Sequence, residues 1–284
     1  MLKKFKEILH GVLPKRLHIG VSPAGITLLR TRKGFTSEAV VLADAALPQG
    51  STASPDTVAE QLRTLLAQTN CRGLVTTIVL ADPLVRVFMV TPPRNPTRLQ
   101  DCQAAAAMRF QTLYDTPLAD WHLSADWNAN QPFVACAVPR SLLDSLKQAS
   151  GEHRLALIEI SPHFVVAWNR WRARLAPGDW FGVMHDGTLT LGVTKHRRLA
   201  AVRAAAVPTP ALMDTRWLSG HLMREALRLD VPPPPRLQLC GSAPNQWVMS
   251  TEESLKCVWL SPQAHDLGRP SVPSGVALAS AGFQ

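Results

Sequence analysis

The 284-residue sequence predicts an α/β protein with two mixed sheets, because one order of elements occurs twice along the chain. Three strand-like stretches joined by turn signals lead into a helix and then a buried strand, first from residue 17 and again from residue 179. We therefore expect a first domain over residues 17–160, with an inserted subdomain at about 97–138, and a second domain over residues 161–284.

Composition indicates a folded chain and excludes several classes of protein. Hydrophobic residues make up 46% of the sequence and charged residues 18%, which is the balance of a globular protein with a sizeable core. The most apolar stretch, "GLVTTIVLADPLVRVFMV", is interrupted by Asp82, Pro83 and Arg86 and does not predict a membrane span. The N-terminus has no continuous apolar segment and does not predict a secretory signal, so a cytoplasmic protein is expected.

Cysteines and histidines do not predict a metal or redox site. The five cysteines are far apart and show no C-x-x-C spacing, which favours reduced cysteines in a reducing compartment. The histidines do not cluster at metal-ligand spacing. No metal is therefore expected.

The first half opens with a predicted basic amphipathic helix over residues 1–16. Its apolar residues fall on one side of a helical wheel and its lysines elsewhere, until Pro14 ends the helix. Such a helix suits the anionic inner leaflet of a membrane or an acidic partner, and it suits packing on its own domain equally well.

The remaining elements of this half follow from periodicity and turn residues. Strands are expected at 17–22, 26–31 and 36–44, separated by "SPAG" and "RKG". The helix of "SPDTVAEQLRTLLAQTN" has Ser54 as its N-cap and Pro55 at its first position. Then come the strands "GLVTTIVL" and "LVRVFMV", the helix "TRLQDCQAAAAMRFQTLY", the strands "DWHLSADW" and "PFVACAVP", the helix "RSLLDSLKQAS" and the strand "RLALIEI".

The second half repeats this order after a helix. "SPHFVVAWNRWRARL" predicts that helix, capped by Ser161, and "WFGVMH", "LTLGVTK" and "LAAVRAA" predict a second three-stranded meander. "TPALMDTRWLSGHLMREALRLD" predicts one long helix, and "LQLCG" and "SLKCVWL" predict two strands. A short helix in "PSGVALASAG" ends the series.

The usual catalytic motifs do not occur in the sequence. There is no P-loop, Rossmann, zincin or nucleophile-elbow pattern. Asp186-Gly187 is a two-residue hairpin signal, and neighbours on an extended chain point to opposite sides, so His185 and Asp186 are not expected to form an acid–base pair. "LQLCGSAPN" brings bare backbone to a strand end, where α/β folds hold ligands, although a plain exit from strand to loop gives the same pattern.

Four stretches taken in order resemble the motifs of the actin-like ATPase fold, a duplicated RNase H-like fold. "HIGVSPAGITLLR" and "VMHDGTLTLGVTK" correspond to its two phosphate loops, "LQLCGSAP" to its adenosine motif and "SGVALASAG" to its closing helix. Within that superfamily the chain is similar to the PilM-like, MshI-like and GspL-cytoplasmic-domain-like proteins of pilus and secretion systems, through "VRVFMVTPP", the Ala-rich helix and "FVACAVPRSLLDSLKQA". The resemblance spans nearly the whole chain.

The departures from this family concern its chemistry. ATP-hydrolysing members carry an acidic residue in the first hairpin, because magnesium with its triphosphate needs a carboxylate ligand. That place falls here on Gly20, or on His18 under a shifted alignment, and no acid lies between Arg16 and Glu38. The resemblance implies a degenerate nucleotide cleft made of Ser22, Gly25, Asp186, Gly187, Gly241 and Ser242. ATP hydrolysis and a cofactor are not expected, whereas residual ATP binding stays open.

Four functions are compatible with these residues. The favoured one, implied by the resemblance, is a non-catalytic scaffold peripheral to the inner membrane. It would bind the PilN-like tail of a single-span membrane protein, with a secretion motor ATPase as a further candidate partner. The others are an active actin-like ATPase, a nucleic-acid-binding module and a globular protein with an unrelated role.

The net charge of the chain helps to choose among these four functions. A formal charge of +9 suits an anionic membrane, an acidic protein or nucleic acid, but the arginines are dispersed and not interleaved with aromatics, so nucleic acid is not expected. Arg30, Arg32 and Lys33 are candidates for an acidic partner tail, and ordinary solvated turn charge is the alternative.

Overall fold

The computed structural model describes residues 15–32, 38–47, 54–96, 98–195, 198–249, 255–260 and 273–281. The predicted N-terminal helix lies outside these residues, apart from Lys15 and Arg16, which belong to the first strand. Among the described helices, none is both long enough and apolar enough to cross a membrane.

Thirteen strands and seven α-helices form the described part of the chain. The strands are β1 (Lys15–Val21), β2 (Gly25–Arg32), β3 (Glu38–Ala46), β4 (Val75–Leu80), β5 (Arg86–Val90), β6 (Trp121–Ala125), β7 (Phe133–Pro139), β8 (Ala156–Pro162), β9 (Trp180–His185), β10 (Thr188–Lys195), β11 (Arg198–Ala206), β12 (Arg236–Gly241) and β13 (Lys256–Trp259). The helices are α1 (Pro55–Ala67), α2 (Leu99–Tyr114), α3 (Arg140–Glu152), α4 (His163–Trp171), α5 (Thr215–Arg228), α6 (Asn245–Met249) and α7 (Ser274–Ala281).

Two five-stranded sheets share one topology. The first has the order β3-β2-β1-β4-β8 and the second the order β11-β10-β9-β12-β13. In each, an antiparallel meander is extended by a parallel strand, since β1 pairs with β4 and β9 pairs with β12 in parallel. The predicted duplication is therefore present in the topology.

The chain divides into two compact units. The first comprises Met1–Ala81, Ser141–Ser161 and Gly275–Gln284, and the second comprises Asp82–Arg140 and Pro162–Ser274. This division differs from the predicted boundaries at 97–138 and 161–284 in two places. The three-stranded sheet β5-β7-β6 lies with the second unit, where β5 contacts β11, and α7 lies with the first unit from Gly275 onward.

Two helix starts differ from the sequence prediction. Ser161 does not cap α4, because its hydroxyl donates to Glu159 instead and the carboxylate of Asp82 accepts from the Phe164 amide at 2.9 Å. The long helix predicted after residue 208 is divided in two, a 3-10 turn at Thr209–Met213 and α5, because Asp214 caps α5 by accepting from the Arg216 amide. By contrast, Ser54 caps α1 as predicted, accepting from the Thr57 amide at 3.1 Å.

A buried carboxylate fixes the parallel pair β9–β12 in the second unit. Asp179, 1% exposed, accepts from Nε of Arg236 at 2.9 Å and from the side-chain amide of Gln238, both on β12. It also accepts from the Ala176 amide at 3.2 Å. This network holds together the two strands whose ends carry the predicted second-unit site residues.

We expect Asp179→Ala to lower the free energy of unfolding by about 3 kcal/mol, because it leaves a half-buried Arg236 and a buried Gln238 without their acceptor. Urea denaturation of the full chain measures this. Glu152→Ala, which breaks the exposed Arg63–Glu152 pair at 2.6 Å, is the matched control and is expected to lower the free energy of unfolding far less, because water screens this pair. Equal losses in the two variants would contradict the assigned role of Asp179.

Candidate functional site

The first hairpin uses its own polar groups to hold its turn. The Ser22 hydroxyl accepts from the amides of Ala24 at 3.2 Å and Gly25 at 3.1 Å, and the Ser22 amide donates to the Gly25 carbonyl at 2.9 Å. Ser22 is 3% exposed. Its hydroxyl is therefore a structural group of the turn.

Gly25 is required by close packing. A Cβ at this position would lie 2.6 Å from the carbonyl oxygen of Ala45 on β3, and Gly25 is not among the glycines with positive φ. The constraint that requires glycine at position 25 is therefore the neighbouring strand β3.

At Gly20, where the resemblance places the catalytic acid of active relatives, α7 lies directly on β1. A Cβ on Gly20 would come within 2.9 Å of the Ala279 amide nitrogen and 3.1 Å of the Gly275 carbonyl oxygen. Under the shifted alignment the position is His18, which is buried with Nδ1 2.8 Å from the Thr77 hydroxyl and Nε2 3.0 Å from the Thr31 hydroxyl. Neither position offers a carboxylate oxygen, so the first hairpin does not fit a magnesium-bound triphosphate.

In the second unit, Asp186 and Gly187 form the predicted two-residue turn. Their φ angles are +42° and +70°, and His185 pairs with Thr188 across the turn, which is the geometry of a type I′ hairpin. Oδ1 of Asp186 accepts from the Ser274 hydroxyl at 2.6 Å. Both atoms belong to the second unit.

His185 and Asp186 lie closer together than their spacing on an extended chain predicts. Nε2 of His185 is 3.0 Å from Oδ2 of Asp186, because the turn folds the carboxylate back over the preceding residue. The contact falls outside hydrogen-bond geometry, since both ring nitrogens of His185 are buried without a hydrogen-bond partner among the described residues. The pair is therefore a close contact and not an oriented acid–base couple.

Gly241 and Ser242 meet the second hairpin at the end of β12. Gly241 has a φ of +88°, and a Cβ there would collide with the Met184 carbonyl oxygen. The Ser242 amide donates to that same oxygen at 2.8 Å, and the Ser242 hydroxyl does so at 3.2 Å. Only glycine fits position 241, and both polar groups of Ser242 are bonded to β9.

The structure thus brings four of the six predicted cleft residues together. Met184 lies between the two features, because it bonds Ser242 and directly precedes the His185–Asp186 segment. Ser22 and Gly25 belong to the first unit. The hydroxyls of Ser22 in the first unit and Ser242 in the second unit are both hydrogen-bonded to backbone groups.

A buried polar cluster behind the second hairpin was not predicted. Asp82, His163 and His185 are each less than one tenth exposed, and the two imidazole rings meet edge to face with centroids 5.7 Å apart. Nδ1 of His163 and the hydroxyl oxygen of Thr190 are buried without a hydrogen-bond partner among the described residues. The only sequence signal for it is an aspartate directly after the apolar β4 run.

Burial shifts the pKa values of Asp82 and His163 in this cluster. Desolvation raises the pKa of Asp82 to about 6 against the hydrogen bond from the Phe164 amide, and it lowers the pKa of His163 to about 3, with His185 adding to the effect. Burial also raises the pKa of the neighbouring Cys240 thiol, so that this cysteine is not a reactive thiolate. Among the described residues, no group of three or more His, Cys, Asp or Glu side chains has the arrangement of a metal site.

Two of the three predicted partner-binding residues line a basic depression on the first sheet. Arg30 and Arg32 lie on β2 beside Lys15 of β1 and the exposed Val40 of β3, around a volume of about 180 Å³. Arg32 is opposite Glu38 in the strand register. Lys33, the third predicted residue, lies outside the described part of the chain.

These features define the class of fold. Two five-stranded sheets of equal topology, a hairpin opening each, a glycine ending β12 and a closing helix on β1 make up the actin-like ATPase fold predicted from the sequence. No protein-family model and no curated protein matches the chain.

Solved structures match it over almost its full length. The PilM–PilN type IV pilus biogenesis complex matches with a TM-score of 0.62 and 14% identity, over 94% of this chain and 96% of that chain. The cytoplasmic domain of EpsL, an inner-membrane component of the type II secretion system of Vibrio cholerae, matches with a TM-score of 0.56 and 12% identity, over 94% and 93%. A Bacteroides thetaiotaomicron protein of unknown function with an actin-like ATPase fold matches with a TM-score of 0.60 and 10% identity, over 95% and 97%. The likeness to PilM-like and GspL-like proteins is confirmed at the level of fold.

The buried histidines predict loss of stability in acid. The folded state keeps His163 neutral down to about pH 3 and His18 down to about pH 4, whereas the unfolded chain protonates both near pH 6.5. Stability therefore falls as the pH drops from about 6.5. Asp82 acts in the opposite sense, since its raised pKa contributes stability that is lost as the pH rises from about 4 to 6.

We expect His163→Phe to reduce this acid sensitivity by about 2 to 3 kcal/mol between pH 7 and about pH 4.5, measured by urea denaturation at both values. The same substitution at His122, whose side chain is exposed, is the matched control and should leave the dependence unchanged. An unaltered pH dependence in His163→Phe would show that His163 is not the group responsible.

Proposed function

We propose that the protein is a non-catalytic scaffold of a type IV pilus (MSHA-like) biogenesis system or a type II secretion system at the inner membrane. In this role it binds the cytoplasmic tail of a single-span, PilN-like membrane protein and presents it to other components, a secretion motor ATPase among them. The fold likeness to EpsL and to PilM in its complex with PilN supports the system.

The proposal that the scaffold is non-catalytic rests on the contact at Gly20. Active relatives are expected to hold magnesium from that place in the first hairpin, and here the Ala279 backbone lies where a side chain would begin. Asp186, the acid kept in the second hairpin, already has Ser274 and His185 against its two carboxylate oxygens. The hydroxyls of Ser22 and Ser242 are hydrogen-bonded to backbone atoms as well. Because the polar side chains of the predicted cleft are engaged within the fold, they support a role in binding a partner.

The tail is expected to dock without catalytic chemistry. Extended segments add to a free sheet edge, and β3 is the outer strand of the first sheet, with Val40 and Val41 exposed. Arg30 beside them gives this edge a basic flank. An acidic or mixed-polarity tail would be matched there by charge.

Tail binding is expected to be independent of nucleotide. Calorimetry of the full chain with a peptide that has the sequence of the cytoplasmic tail of a single-span protein encoded beside it should give the same affinity with and without Mg-ATP. Asp186→Ala should leave this affinity unchanged, and Arg30→Glu with Arg32→Glu should weaken it about tenfold for an acidic tail. The competing function, an actin-like ATPase, predicts Mg²⁺-dependent ATP hydrolysis that Asp186→Ala abolishes, and that result would overturn the scaffold.

Restoring the missing carboxylate is expected to disrupt the fold. Gly20→Asp places a side chain against the α7 backbone and should lower the free energy of unfolding by about 3 kcal/mol or more without creating ATP hydrolysis. Gly151→Asp on the exposed side of α3, where a Cβ meets no atom within 4 Å, is the matched control and should change stability far less. A stable Gly20→Asp protein that hydrolyses ATP would instead mark the cleft as intact.

A further inference from the structure

The solvent side of α5 combines arginine and apolar side chains in one stripe. At 3.6 residues per turn, Arg216, Met223 and Leu227 lie nearly in line, with Arg224 and Arg228 beside them. The opposite side of the helix packs into the core of the second unit through Leu218, Leu222 and Ala226. The stripe is therefore not needed to hold α5 in place.

The apolar members of the stripe are strongly exposed. Met223 is 48% exposed and Leu227, one turn further on, is 75% exposed. Arg216, Arg224 and Arg228 are also exposed. The free energy falls when an exposed leucine surrounded by arginines is transferred from water into an adjacent apolar layer.

The charge of this face is positive because its one central acid is already neutralised. Glu225 is 3% exposed and accepts from Nε of Arg203 at 3.0 Å and from Arg228 at 2.7 Å. Asp214 and Asp230 lie beyond the two ends of the helix, and Asp214 caps its first turn. Two cations around one buried anion leave the surface of α5 basic.

We propose that the solvent side of α5 rests on an anionic lipid surface, with Met223 and Leu227 entering the headgroup layer and Arg216 and Arg224 contacting lipid phosphates. Apolar side chains flanked by arginine on an outward-facing helix are the composition of interfacial helices, and each arginine near an anionic surface adds attraction. An acidic protein segment would be matched by the arginines but would not require the leucine and methionine between them. The proposal does not depend on tail binding.

Vesicle co-sedimentation tests it on the full chain. The chain is compared on phosphatidylcholine vesicles and on vesicles with about 30% phosphatidylglycerol, in a background in which Lys3, Lys4 and Lys6 are glutamine so that the N-terminal basic segment contributes less. Arg216→Glu with Arg224→Glu should lower the partition onto the anionic vesicles at least about tenfold. Arg72→Glu with Arg94→Glu makes the same change in net charge at exposed positions outside the stripe, and should have a much smaller effect.

A second pair of variants tests the apolar contact at constant charge. Met223→Gln with Leu227→Gln should lower the same partition about tenfold, whereas Leu99→Gln with Met108→Gln, exposed on α2, should not. Circular dichroism of each variant reports whether α5 stays folded. The proposal is overturned if both α5 pairs bind vesicles as well as their controls, or if the arginine pair loses binding to polyglutamate while vesicle binding is unchanged, since that result would assign the face to an acidic protein.

Discussion

A helix backbone resting on a glycine of the first strand is the contact on which the first unit depends. Because Gly20 has no side chain, the backbone of α7 can lie directly against β1. Because Gly275 has none either, the start of α7 can lie directly against Thr27 of β2. Leu278 and Ala279 of α7 are fully buried by this arrangement. At Gly20 the strand meets the backbone of the helix, and at Gly275 the helix meets the side chains of Thr27 and Asp44, so neither position has room for a longer side chain.

The packing of α7 on Gly20 also determines which side chains the first hairpin can carry. ATP-hydrolysing members of the family that the sequence resembles are expected to carry an acidic side chain in the first hairpin, and here the same place is part of the packed interior. The second hairpin keeps the acid but surrounds it with Ser274 and His185. Each unit, taken by itself, retains a five-stranded sheet that opens with a hairpin, and the proposed function assigns partner binding to the surface of such a sheet.

Local signals in the sequence were enough to predict most of the elements and both sheets. The Asp186-Gly187 turn follows from two residues that tolerate positive φ, and Ser54 and Pro55 mark the start of α1 in the same direct way. The cap of α4 could not be predicted from local signals. Asp82, which accepts from the Phe164 amide, lies far from Phe164 along the chain, and Ser161 is a nearer residue of a more usual capping type. The buried cluster of Asp82, His163 and His185 is likewise a product of tertiary packing, which no spacing rule detects. Gly20 and Gly25 show the same limit, since each is glycine because of a neighbour that the sequence places elsewhere.

The position of α7 along the chain has a consequence for synthesis. β4 ends at Leu80, β8 begins at Ala156 and α7 begins at Ser274, so the first unit is assembled from segments made at widely separated times. During translation β1 leaves the ribosome early, and the face of β1 around Gly20 stays uncovered until α7 has emerged. The second five-stranded sheet, whose strands β9 to β13 follow one another along the chain, is synthesised completely before α7. Until α7 has been made, the nascent chain therefore has its N-terminal sheet without the helix that covers Gly20.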